Sequence, residues 1–125
     1  MQITKIFLVL GSFNAMLAVI LGAFGAHGLK ARISSDMLEV FQTAVQYHLY
    51  HALGLLVVGI ITYQFAPSYW FKSSGWLMFA GIILFSGSLY ILSMTQLHGF
   101  GAITPLGGLA FVLAWLCLSI GIIRQ

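Results

Sequence analysis

The stretch QTAVQYHLYHALGLL (Gln42–Leu56) changes character along its length. It opens with two glutamines, two tyrosines and two histidines, and it ends in an apolar run that continues through Val57–Ile61. That order reads as a helix entering a membrane, wet at its mouth and greasy beyond. The composition on either side agrees. The 125 residues are 61% hydrophobic and 6% charged, whereas a soluble domain carries about 25% charged residues. Five basic and two acidic side chains cannot cover a soluble surface, so the chain is an integral membrane protein. Residues 1–125 form a single transmembrane domain.

The net charge of +3 is scattered and contains no basic run, which excludes an electrostatic footprint for nucleic acid. Cys117 is the single cysteine and lies in an apolar run. It cannot form an intramolecular disulfide or a CxxC site, so its expected role is packing, with a reactive thiol as the alternative. The N-terminal MQITKIFLVLGSF has the look of a signal peptide. The uncharged stretch Ile6–Leu29 is, however, longer than a signal h-region of about 7–15 residues, so a retained first span is expected.

Spanning the hydrocarbon takes about 20 apolar residues, and there the backbone must bond to itself, which dictates helices. Four segments qualify: Ile3–Phe24, Asp36–Tyr63, Gly75–Met94 and Pro105–Ile123. The expected fold is an all-α bundle of four transmembrane helices with short connections. SSDMLE offers Ser35 or Asp36 as an N-cap with Glu39 one turn on, and Thr104–Pro105 looks like an N-cap and first-turn pair. Pro67 and Gly75 bracket a break, and Tyr69, Trp70, Phe71 and Trp76 look like an interfacial aromatic belt.

Helix two is too long for the bilayer. Its span of about 28 residues rises about 42 Å against a core of about 30 Å, which places its first turns in the headgroups. At about 100° per residue, Glu39, Gln42, Thr43, Gln46 and Tyr50 share one stripe, while His48 and His51 stand on another face. Antiparallel spans put both connections, Gly25–Ser35 and Gln96–Thr104, at one end. That end receives His27, Asp36, Glu39, Gln42, Gln46, His48, His51 and His98, with Lys30 and Arg32. Only Lys5, Lys72 and Arg124 lie opposite. Three basic residues against two place both termini in the cytoplasm by the positive-inside rule.

Lipid gives no hydrophobic drive for helix association, so small residues mark close contacts. Gly11-xxx-Ala15, Ala18-xxx-Gly22-xxx-Ala26, Ala110-xxx-Ala114 and the Ser86–Ser88 triplet are expected contacts within the bundle or between subunits; the alternative is a glycine-lined pore or hinge. Asn14, deep in helix one, should face protein and bond between helices, with a place on a transport path as the alternative.

The histidines admit three readings. A metal or haem site would use imidazole ligands, but HExxH, a cysteine partner and a haem-attachment motif are all missing, so no metal and no cofactor are assigned. A histidine–carboxylate cluster could sense or pass protons near neutral pH. The reading adopted is the plainest one, in which these side chains sit in the headgroups and bond to water, lipid phosphate or one another.

LGAFGAHGL (Leu21–Leu29), QTAVQYHLYHALGLL (Gln42–Leu56), LFSGSLY (Leu84–Tyr90) and GAITPLGGLAF (Gly101–Phe111) together resemble the family named domain of unknown function 423. The resemblance covers nearly the whole chain and implies a small bacterial inner-membrane protein. It brings no reaction, substrate or catalytic residue. The expected role is a non-enzymatic membrane component, acting in the lipid bilayer as a homo-oligomer or beside a membrane-protein partner. The alternative is a transporter or channel for a small ion, proton or metal, entered at the histidine end.

Overall fold

A computed structural model describes residues 2–125. Helix α1 (Gln2–Phe24) continues through a π-helical turn at Gly25–Leu29, and α2 runs unbroken over Ser35–Gln64. The third span is α3 (Tyr69–Gly81), a second π turn (Ile82–Ser86) and α4 (Gly87–Thr95). A 3₁₀ turn at His98–Ala102 leads into α5 (Thr104–Ile123). Four of the resulting helical stretches are long and apolar enough to cross a membrane: Gln2–Leu29, Ser35–Gln64, Tyr69–Thr95 and His98–Ile123.

Several boundaries differ from those the sequence predicts, each for a local reason. Ser34 caps α2, its hydroxyl accepting from the Met37 amide at 3.3 Å, one residue before the expected cap. Ser68 caps α3 by accepting from the Trp70 amide at 3.2 Å, so the third span starts six residues earlier than Gly75. Gly75 is therefore no breaker. Phe71 is not in an aromatic belt either, because it is fully buried, while Tyr69 remains exposed. Thr104 does not cap α5; its hydroxyl meets Ser88 Oγ at 2.7 Å and ties α5 to α4.

The buried positions of α1 are Thr4, Phe7, Gly11, Asn14 and Ala18. Those of α2 include Phe41, Ala44, His48, His51, Leu55 and Val58. Both follow a three-four spacing, the seam of a closely packed helix pair. Gly11 lets the two helices approach, since a Cβ there would stand 2.9 Å from the Ala52 carbonyl oxygen. The second hairpin pairs α3 with α5, and α2 packs along the third span.

One packing device recurs. Aromatic rings or their backbone rest where a glycine on the facing helix has no side chain: Phe41 on Gly25, Phe7 on Gly75, Phe111 on Gly81, Phe85 on Gly107 and Phe71 on Gly121. With no hydrophobic drive in lipid, this knob-on-glycine contact supplies the dispersion that holds the helices together. The small residues are thus largely consumed inside the bundle, and the apolar core of Phe7, Leu55, Phe71, Met78 and Phe111 is built around them.

Candidate functional site

The residues that sequence reasoning gathered at one membrane end do not form one cluster. His27, Asp36, Glu39, Gln42, Gln46 and His98 are exposed. His48 and His51 are buried, at 4% and 5% exposure, inside the bundle. The headgroup reading of these two is corrected. They occupy seam positions of α2, and the seam faces protein. Among the described residues, no three His, Cys, Asp or Glu side chains come together in a way that could hold a metal ion. Cys117 is half-buried.

Asn14 comes to His48 from α1. Its amide nitrogen donates to the Leu10 carbonyl at 2.8 Å, which fixes the Oδ1 atom as the acceptor facing His48. His48 Nε2 lies 3.0 Å from that oxygen and must donate to it. The other ring nitrogen, Nδ1, then accepts from the Tyr90 hydroxyl at 2.9 Å. A directed chain results: Tyr90 on α4 donates to His48 on α2, His48 to Asn14 on α1, and Asn14 to a backbone carbonyl.

His51, one turn further along α2, is held the opposite way. Its Nδ1 lies 2.8 Å from the Tyr47 carbonyl oxygen, which can only accept, so Nδ1 carries the proton. Nε2 accepts from the Trp115 indole N–H at 3.1 Å, joining α2 to α5. The ring stacks on Phe111 with centroids 3.5 Å apart and planes 10° apart. The Tyr47 ring runs nearly parallel to it, 6.1 Å from His51 and 6.3 Å from Phe111 between centroids.

Further polar bonds repeat the pattern. Thr4 and Thr62 hydroxyls meet at 3.1 Å between α1 and α2. The Ser86 hydroxyl, on the second π turn, donates to the Ala44 carbonyl of α2 at 2.8 Å. Ser86 closes that turn and lies four residues before Tyr90, so both side chains meet α2 from one face of the third span. Helix α2 is therefore the hub, bonded through polar side chains to every other span.

Sequence reasoning missed Tyr90, Trp115 and Phe111. A signal for Tyr90 was present: Ser86, Tyr90 and Ser93 are spaced four and three apart, which is one helix face. Trp115 was signalled more faintly, as a tryptophan in mid-span, where its N–H has no water and needs a partner. The seam of α2 was also legible in the spacing Phe41, Ala44, His48, His51, Leu55, Val58.

A family model described as a protein of unknown function (DUF423) matches residues 21–108. The UPF0382 membrane protein YwdK of Bacillus subtilis is 54% identical over 120 residues, covering 96% of this chain and 98% of the relative. A UPF0382 membrane protein of Staphylococcus saprophyticus is 50% identical over 117 residues, covering 94% and 96% of the two chains. One of Staphylococcus epidermidis is 48% identical over 120 residues, covering 96% and 97%. No solved structure matches the chain. The stretches that carried the resemblance hold the first π turn, the end of the second, His48 and Tyr90. This small four-span membrane protein belongs to the DUF423 family of proteins of unknown function.

Proposed function

We propose that this protein is a non-enzymatic component of the bacterial inner membrane, working as an oligomer or as an accessory subunit, with both termini cytoplasmic. The observation that carries the reading is how the interior polar groups end. The chain from Tyr90 through His48 and Asn14 stops on the Leu10 backbone carbonyl, and His51 stops on the Tyr47 carbonyl. A conduction path would hand its proton or ion onward. These groups instead satisfy one another, as polar side chains do when they hold helices together in lipid. The orientation rests on the three cations Lys5, Lys72 and Arg124 at the end that carries the termini.

The test is native mass spectrometry of the full chain released from mild detergent, together with flux measurements on the same preparation in liposomes. The expected result is a second copy or a distinct protein retained on the chain, and proton and cation flux equal to that of empty vesicles. Flux above that baseline, abolished by His48→Phe in a variant that still folds, would replace this reading with the transporter.

A further inference from the structure

The outer face of α2 raises a separate question. Glu39, Gln42, Thr43, Gln46 and Tyr50 line a groove of about 500 Å³ together with Val45 and Leu49. This face lies opposite the seam at about 100° per residue. It continues down the helix as an apolar ridge of Leu53, Val57 and Ile60, about half exposed. The interhelical bonds at Asn14, Ser86, Tyr90 and Trp115 all engage the other side of α2.

Its depth makes the face unusual. Lys5, Lys72 and Arg124 mark one hydrocarbon boundary. A core of about 30 Å is about 20 helical residues, which brings the other boundary near Gly25, Leu92 and Thr104. The bond between Thr4 and Thr62 sets the register of the first hairpin, so the same core on α2 runs from about Ile61 up to about Phe41. Glu39 is then among the headgroups and Gln42 at the boundary. Gln46 lies about one turn inside, and Tyr50 about two turns. Lipid tails cannot satisfy a carboxamide, and such side chains in spans bond to other helices.

We infer that the Gln42/Gln46 face of α2 is the contact surface for a second copy of this chain, related by a two-fold axis along the membrane normal. This rests on the oligomeric reading above and names its interface. Two copies of the same topology meet about such an axis with equivalent residues at equal depth. Gln46 then faces Gln46 of the copy, and Gln42 faces Gln42. Each carboxamide carries a donor and an acceptor, so the pairs are self-complementary. The one charge on the face, Glu39, falls at headgroup depth, where solvent screens its repulsion. Leu53, Val57 and Ile60 give the pair an apolar ridge below the amides.

The test is oxidative crosslinking in native membranes of the full-length Cys117→Ser chain carrying Gln46→Cys. Val112→Cys and Val9→Cys, on exposed positions of α5 and α1, serve as controls. A disulfide-linked band at twice the chain mass from Gln46→Cys, absent from both controls, is the expected result. The Gln42→Leu/Gln46→Leu variant should keep its helical circular dichroism and dimerise about tenfold more weakly. Crosslinking at a control position but not at Gln46 would overturn the interface and leave the oligomer standing. A Gln46 adduct to a different protein would overturn the second copy and leave the accessory role standing. No adduct anywhere, with a monomer in native mass spectrometry, would remove both.

Discussion

Gly107→Ala is expected to loosen the second hairpin more than any other single methyl added to the chain. A Cβ at this position would overlap the Phe85 backbone nitrogen and stand 2.7 Å from its Cα. Backbone cannot swing aside as a side chain can, so α5 must move away from the π turn at Ile82–Ser86. Overpacking typically destabilises by about 1–3 kcal/mol, and the upper part of that range is expected here. The separation would also stretch the bond between Ser88 and Thr104. Gly99→Ala is the control, because a Cβ there meets nothing within 4 Å. Detergent-driven unfolding of both variants, followed by circular dichroism, checks the difference. Equal midpoints would show that α5 does not rest on Phe85.

The second large effect belongs to Asn14. Asn14→Leu removes the acceptor of His48 Nε2 and leaves that donor buried in a helix interface. An unsatisfied buried donor costs about 1–3 kcal/mol. His48→Phe alone strands the Asn14 oxygen and the Tyr90 hydroxyl in turn. The double variant Asn14→Leu/His48→Phe leaves no unpaired atom between α1 and α2 and should be less unstable than the sum of the singles. The coupling expected is about 0.6 kcal/mol and no more than about 1.7, the average and the maximum measured for polar pairs between membrane helices. A double-mutant cycle by unfolding in mixed micelles measures it. Strict additivity would mean that the two side chains do not share a bond.

Much of this architecture was legible in the sequence. Hydropathy and length mark four spans, and antiparallel threading puts both short connections at one end. The stripe of Glu39, Gln42, Thr43, Gln46 and Tyr50 also emerged from angular arithmetic, though not the direction it faces, and it lines one groove. Counting turns from the start of α2 placed His48 and His51 near the headgroups, whereas the seam they share with Phe41 and Val58 turns them inward. Residue type misled in the same way at Phe71, where a run of aromatics hid one ring destined for Gly121. Gly75 carried two meanings, a helix end or a seat for a ring, and only the position of Phe7 distinguishes them. The π turns left no trace in hydropathy. Ser86 nonetheless shares a 3.6-residue face with Tyr90, and both bond to α2.

The central claim is that the interior histidines are pinned in place by their neighbours as cross-links of the bundle. Nitrogen-15 NMR of the two imidazole rings in the intact protein tests it most directly. Two slowly exchanging rings of opposite tautomer are expected, His48 protonated on Nε2 and His51 on Nδ1, with the His48 signal alone losing its preference in Asn14→Leu. Two rings averaging freely between tautomers, or a His48 signal indifferent to Asn14→Leu, would contradict it.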